Sequence, residues 1–317
     1  MKRTLITIAV NLWVVALCAS ANAYYEEFSP ATTEGRGGAG IASAEGTDSA
    51  FYNPAALTIA EDYQLSLGSI ASLDGFYYPL ALSLFDSVTN PWLCTHIGFT
   101  FINQRRELTY DKSRDVTYLE DIKDEKTYAI RLGLAVPLYQ KFISLGVGLK
   151  WFIGDREKGS TRHRVGFDVG TVIQPTEGFR IGVTAYNVAR KDFAEFGQAV
   201  GFGLAGSLSV VDLEGDYIIY YTRPGGDTHT SHAANAGATF KISWFRGSLG
   251  YSYNQTGQRH AVSFGLGYVG DTADFILAYN HVVSAEADTE PTNELGNGQI
   301  LINLRFHFGQ AIKNIGN

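Results

Sequence analysis

Gly35-Arg36-Gly37-Gly38-Ala39-Gly40 has the spacing Gly-x-Gly-x-x-Gly, with Glu61 and Asp62 at a suitable distance downstream to meet a ribose. In a dinucleotide site such glycines form a tight turn and let the backbone approach a pyrophosphate seated on a helix N-terminus. That chemistry needs a buried strand before the glycines and a helix after them. Pro30-Ala31-Thr32-Thr33-Glu34 has no apolar run, no βαβ pattern follows, and no Gly-Lys-Ser/Thr ending makes a phosphate loop. The context excludes a dinucleotide. His229 and His232 in DTHTSH could chelate a metal, but two histidines in a polar loop are ordinarily just solvated. GxSxG, HExxH and EF-hand patterns are lacking, so no catalytic site, cofactor or metal is expected. Net charge is −7 with no recurring basic patch, which argues against nucleic-acid binding.

The elements that would carry a function begin after an export signal. Lys2 and Arg3, the apolar stretch Leu5 to Leu17 and the small-x-small site Ala21-Asn22-Ala23 predict a cleaved signal peptide over residues 1–23. Leu17 before Cys18 is too large for lipoprotein processing, so lipidation is not expected. Cys94 is then the one remaining cysteine and no intrachain disulfide can form. No later stretch approaches 18 uninterrupted apolar residues, which excludes helical membrane spans.

The mature sequence alternates. In TYAIRLGLAV (127–136) Tyr128, Ile130, Leu132, Leu134 and Val136 share one face; in FISLGVGLKWFI (142–153) Ile143, Leu145, Val147, Leu149, Trp151 and Ile153 do so. QILINLRFHF (299–308) sets Ile300, Ile302, Leu304, Phe306 and Phe308 against Asn303, Arg305 and His307. Period-2 alternation over ten or more residues is strand-like and exceeds ordinary soluble strands. An apolar face opposite a polar, glycine-rich one, following an export signal, is the outer-membrane barrel pattern.

The reading predicts strands at 62–70, 76–84, 93–103, 127–137, 142–153, 164–174, 179–188, 198–210, 214–222, 233–243, 246–254, 260–268, 273–283 and 299–308. From the third strand on, tight connections (137–141, 174–178, 211–214, 243–246, 270–273) alternate with longer polar ones (104–126, 154–163, 189–197, 223–232, 255–259, 284–298). Short periplasmic turns, longer outside loops and periplasmic termini require an even count. Fourteen strands fit, with twelve as the fallback if the first hairpin joins the plug. Trp92, Trp151 and Trp244 fall at predicted membrane edges, where aromatic girdles sit. The mixed-charge segment 105–126 is a surface loop in which Glu107 to Tyr110 and Val116 to Leu119 could extend a hairpin; it could also touch lipopolysaccharide.

The run GRGGAGIASAEGTDSAFYNPAAL (35–57) resembles the N-terminal segment of FadL/TodX-type outer-membrane transport proteins and their relatives in the PorV group. The small residues Gly37, Gly38, Ala39, Gly40, Ala42 and Ala44, then Asp48 and Ala50, then Asn53-Pro54-Ala55, carry the likeness; RIGVTAYNVA (180–189) is similar to a strand of the PorV-like branch. The resemblance implies a fourteen-stranded barrel (61–308) whose residues 24–60 fold inward as a hatch, with Gly37, Gly38, Gly40, Asn53, Pro54 and Ala55 in the gating segment and a periplasmic tail over 309–317. Glycines recur on the inward face at 133, 146, 148, 166, 170, 182, 201, 203, 265 and 267. A plug threading the lumen and simple relief of wall curvature both account for them. Arg131, Lys150, Asp168, Arg180, Lys241, Asn303 and Arg305 are predicted to face the lumen, either as an ion track or, more ordinarily, paired to hold shape or bind the plug.

Two functions follow from the resemblance. One is passive, hatch-gated uptake of hydrophobic small molecules such as long-chain fatty acids or aromatic compounds. Against it, the chain is short for that branch, and the apolar inward residues are few, among them Phe142, Phe152, Val172 and Leu301. The other is a PorV-like, non-transporting barrel that serves a secretion-system protein or surface assembly. A general porin is disfavoured because the hatch would block it. Outer-membrane lipid surrounds the barrel in every case. Insertion by barrel-assembly machinery is expected, although residues 309–317 follow the terminal aromatic Phe308.

Overall fold

The computed structural model describes residues 28–73, 79–90, 92–102, 105–111, 116–122, 126–139, 141–155, 161–188, 198–222, 229–255, 259–284 and 298–309. The expected signal peptide (1–23), residues 24–27 and residues 310–317 of the expected tail lie outside these.

Among the described residues sixteen strands form: β1 Tyr63–Ser72, β2 Leu80–Asp86, β3 Cys94–Ile102, β4 Arg105–Asp111, β5 Val116–Ile122, β6 Thr127–Leu138, β7 Ile143–Asp155, β8 Thr161–Thr176, β9 Phe179–Tyr186, β10 Gln198–Leu208, β11 Val211–Thr222, β12 His229–Ile242, β13 Phe245–Asn254, β14 Arg259–Val269, β15 Ala273–Ser284 and β16 Gly298–His307. Fourteen close an antiparallel barrel in the order β1-β16-β15-β14-β13-β12-β11-β10-β9-β8-β7-β6-β3-β2, and β4 and β5 pair as a separate hairpin. Closure leaves no sheet edge to satisfy inside a membrane. Tyr63, Gln64 and Leu65 on β1 stand in register with the last turn of β2, while Gln64 to Ser72 pair with β16, sealing first strand to last.

The fourteen expected strands are all present, with shifted boundaries. β2 starts and ends later than expected because Pro79 precedes it and because Phe85 and Asp86 still pair with His96 and Thr95. β11 begins at Val211 rather than 214, since the turn contracts to Ser209 and Val210, with Ser209 at φ 47°. β8 extends through Pro175, and a register irregularity between Ile173 and Thr176 accommodates a residue with no N–H to give. The 105–126 segment pairs Leu108 with Leu119 and Tyr110 with Thr117.

The distribution of burial is inverted relative to a soluble sandwich. Leu204, Leu266, Phe264 and Val147 point outward and are about half exposed, whereas Arg131, Lys150 and Asp168 are buried inside the barrel. Trp92 and Trp244 are exposed on the rim that carries the tight turns. Among the described residues no helix is long and apolar enough to cross a membrane.

This inversion has a measurable consequence. Leu204, outward on β10 and well inside its strand, would on replacement by Arg bring a charge into the hydrocarbon. Leu204→Arg should destabilise the barrel by about 2–4 kcal/mol, read by denaturant unfolding in liposomes, with Arg at the rim position Ile242 costing far less.

Candidate functional site

Residues 28–60 run through the lumen as short pieces: helix α1 (Ala31–Glu34), a 3-10 turn (Gly46–Asp48), helix α2 (Ser49–Tyr52) and a second 3-10 turn (Pro54–Thr58). None is long enough to be stable alone, so the wall must hold them. Asn53 shows how. It is extended at φ −151°, its Oδ1 accepts the Ala55 amide at 3.0 Å, and Pro54 takes the first position of the 3-10 turn, where a missing N–H costs nothing. Its Nδ2 donates to the Ile41 carbonyl at 2.9 Å and to the Thr171 carbonyl of β8 at 3.1 Å. One fully buried side chain thus ties two parts of the hatch to the wall.

The wall is notched to receive it. Gly146 of β7 and Gly170 of β8 are cross-strand partners; a Cβ on the first would overlap the Pro54-Ala55 backbone, and on the second the Asn53 Oδ1. The pair Gly182–Gly203 meets Ile41 and Ala42 in the same way, and the pair Gly237–Gly250 meets Arg36 and Gly37. Gly133 and Gly201 are filled by the side chains of Leu57 and Ile41. The inward glycines are therefore mainly seats for the hatch, although Gly166 and Gly267 face wall side chains, Asn187 and Ile276. In the hatch itself Gly37 and Gly38 have φ 73° and 77°, a region that side-chain-bearing residues avoid, and a Cβ on Gly40 would press into the Tyr52 ring at 2.9 Å.

Charge supplies the second set of ties. Asp216 Oδ2 accepts the amides of Gly40 (2.7 Å) and Ile41 (3.0 Å). Arg36 pairs with Glu214 at 2.8 Å, and Ser43 bonds the same carboxylate. Arg305 meets the hatch residue Asp48 at 2.5 Å and reaches Asp274 at 3.5 Å, while Asn303 donates to Asp48 at 3.5 Å. His307 bonds Asp274 and Asp62. Asn280 donates to Glu34 at 2.8 Å. Lys150 and Asp168, both buried, pair at 2.7 Å. Nearer the tight-turn rim Arg180 meets Glu45 at 3.0 Å and Lys241 meets Asp212 at 2.6 Å, around a polar cavity of about 360 Å³ that Arg36 and Asp48 also line. Buried ions demand such partners. Burial, and secondarily Glu34, holds the Tyr52 phenol above its ordinary pKa, keeping it protonated against Ser29.

Glu214 and Asp216 are the functional residues that sequence reasoning missed. Residues 211–214 read as a turn, whereas they are strand, so Glu214 and Asp216 share the inward face. Phe142 was expected inside; it lies in the turn before β7, 41% exposed beside Tyr139, because the chain has not yet entered the strand. Phe152, Val172 and Leu301 are inward and buried. His232 stands on β12, not in a loop, with Nδ1 at 2.8 Å from the Tyr217 hydroxyl. Among the described residues no group of metal-ligating side chains gathers.

Facing β2, β3 and β6 the hatch makes a different contact. Phe28 packs among Ile70, Ala81, Ile102, Ala129, Phe152 and Leu301. Phe51 lies 5.3 Å from the Phe28 ring, edge-on to His96 at 6.3 Å and under the Arg131 guanidinium at 4.7 Å. Leu57 packs with Phe85, Cys94 and Ala135. These three hatch side chains follow one another from the long-loop end toward the tight-turn end, against wall residues that are mostly apolar. Both ring nitrogens of His96 are buried without a hydrogen-bond partner among the described residues.

The barrel, its strand order and the filled lumen decide the comparison with solved structures. The chain has the FadL-type fold. It superposes on a Pseudomonas aeruginosa FadL homologue with TM-score 0.61 at 13% identity, covering 90% of this chain and all of that one. The CymD monoaromatic hydrocarbon channel gives 0.59 at 15% identity over 88% and 97%, and the P. putida toluene transporter TodX gives 0.58 at 12% over 89% and 98%. The sequence matches no family model and no curated protein. In this FadL-type barrel the glycine seats and ion pairs are therefore read from its own residues.

Two variants test the seating. Asn53→Ala removes the turn cap and both donor bonds and should weaken hatch docking by about 1–3 kcal/mol. Gly146→Val should displace Pro54 and Ala55 while the barrel still folds. In both, a cysteine placed at Ala50 in a Cys94→Ala background should react with a polar thiol reagent several-fold faster than in the parent, whereas Gly206→Ala, where a Cβ meets nothing within 4 Å, should leave the rate unchanged.

Proposed function

We propose that this protein is a passive outer-membrane channel through which hydrophobic small molecules, such as long-chain fatty acids or aromatic compounds, pass when the hatch shifts. The observation that carries the reading is the apolar seam: Phe28, in a cluster with residues of β1 to β3, β6, β7, β15 and β16, is followed by Phe51 and Leu57 against β2, β3 and β6. A transporter of apolar cargo needs a continuous apolar line meeting the plug; a scaffold does not. Dispersion contacts are non-directional and individually small, so cargo can replace them group for group. The similar solved structures include proteins described as a monoaromatic hydrocarbon channel and a toluene transporter, which supports this direction. An open diffusion pore is a poor alternative, because residues 28–60 occupy the lumen.

On this reading Phe51 is the pinch between the two apolar clusters, and it is the residue to change. Uptake of a labelled long-chain fatty acid and of a labelled monoaromatic is measured in cells lacking the protein, carrying it, and carrying Phe51→Ala. Protein-dependent uptake of at least one compound is expected, with Phe51→Ala several-fold faster. No protein-dependent uptake of either, with the barrel folded and surface-located, would sink the proposal.

A further inference from the structure

The lipid-facing side carries a pattern that the lumen does not explain. Four histidines face outward among the described residues: His163 on β8, His232 on β12, His260 on β14 and His281 on β15. All four lie within a few residues of the strand end that carries the longer loops. Each stands against an outward aromatic ring, with centroid separations of 5.9 Å for Trp151–His163, 5.7 Å for Tyr217–His232, 4.9 Å for Tyr253–His260 and 6.0 Å for Tyr279–His281. At the opposite rim no histidine faces outward among the described residues, and the ring pairs there are aromatic on aromatic, as in Trp244 against Tyr268 at 5.9 Å and Trp244 against Phe245 at 6.3 Å. A girdle that merely anchors the barrel has no reason to place its histidines at one end.

The hydrogen bonding repeats as well. The hydroxyl of Tyr217 lies 2.8 Å from Nδ1 of His232, that of Tyr251 lies 2.5 Å from Nδ1 of His260, and that of Tyr279 lies 3.2 Å from Nδ1 of His281. Where the phenol donates to Nδ1, the ring's own proton lies on Nε2. Nε2 is then a donor without a protein partner among the described residues, on a ring held by stacking. His260 and His281 belong to one patch: Val262, two positions after His260, pairs with His281, and a bulge between His260 and Ala261 re-aims that strand end. With Tyr251, Tyr253 and Tyr279 they cover three neighbouring strands.

We propose that this histidine–tyrosine belt binds the phosphate groups of phosphorylated glycolipids in the outer leaflet, of the lipid A type. Three ring N–H groups at one height would grip headgroup oxygens and orient the barrel against that leaflet, independently of what passes through the lumen.

The test uses the full-length protein folded in mixed micelles with bis-phosphorylated lipid A or with the same lipid dephosphorylated, and native mass spectrometry counts lipid retained per barrel. The parent should retain the phosphorylated lipid several-fold better. His232→Phe/His260→Phe/His281→Phe, which keeps rings but removes the donors, should retain both lipids equally. If that variant fails to fold, Tyr217→Phe/Tyr251→Phe/Tyr279→Phe, which frees Nδ1 and unfixes the tautomer, should weaken the preference with little change to packing. Equal retention of both lipids by the parent, or an undiminished preference in the folded variants, would overturn the proposal.

Discussion

The interior of this barrel depends on how closely the hatch backbone can lie on the wall. A strand residue with any side chain holds a second backbone at a distance, and the hatch needs the wall's hydrogen bonds as much as its surface. Cross-strand glycine pairs solve this geometrically. Gly146–Gly170, Gly182–Gly203 and Gly237–Gly250 each remove two facing side chains at one register position, and the hatch backbone drops into each gap. Glycine within a strand costs roughly 0.5–1 kcal/mol, a cost spread over many positions here. It is offset by closed contacts along the hatch and by wall groups brought within reach, such as Thr171 for Asn53 and Asp216 for the Gly40 and Ile41 amides.

The seats do not ring the lumen evenly, and the asymmetry is what gives the hatch two sides. The notches and the hydrogen bonds described above concentrate on β7–β9, β11–β13 and the β15–β16 wall, where direction and distance are both fixed. Toward β2, β3 and β6 the described contacts are mainly those of Phe28, Phe51 and Leu57, with apolar wall residues and, at Phe51, with His96 and Arg131. Directional bonds break at a threshold; dispersion contacts slide. A hatch attached in this way is rigid against one arc of the wall and yielding against the other.

Much of this was legible in the sequence because strand alternation is local. Ile143, Leu145 and Val147 announce an outward face without reference to any other strand, and the tight turns around Tyr139 and Gly178 separate neighbours. The Asn53-Pro54-Ala55 motif likewise marks a turn whatever surrounds it. What was not legible depends on register. That Gly146 faces Gly170 is set by pairing between strands, so their inward glycines looked as much like relief of curvature as like seats. Glu214 and Asp216 were missed for a related reason: 211–214 reads as a turn and 214–222 as a strand, and only alignment with β10 and β12 shows both acids meeting the hatch. The apolar seam has no sequence signature at all. Phe28, Phe51 and Leu57 lie at irregular spacing on short turns, and only the folded lumen brings them into line.

These constraints also limit how such a hatch can open. Withdrawing it whole would strip Glu214 of Arg36, Arg305 of Asp48 and Asp216 of its two amides together. A charge left buried without its partner costs several kcal/mol, and several lost at once would exceed what binding of a small apolar molecule returns. Displacing Phe51, by contrast, gives up contacts with Phe28, His96 and the Arg131 guanidinium that an incoming aromatic ring takes over. Under the proposed uptake function, opening confined to the seam, with Asn53 still seated on Thr171, is therefore the movement the energetics favour.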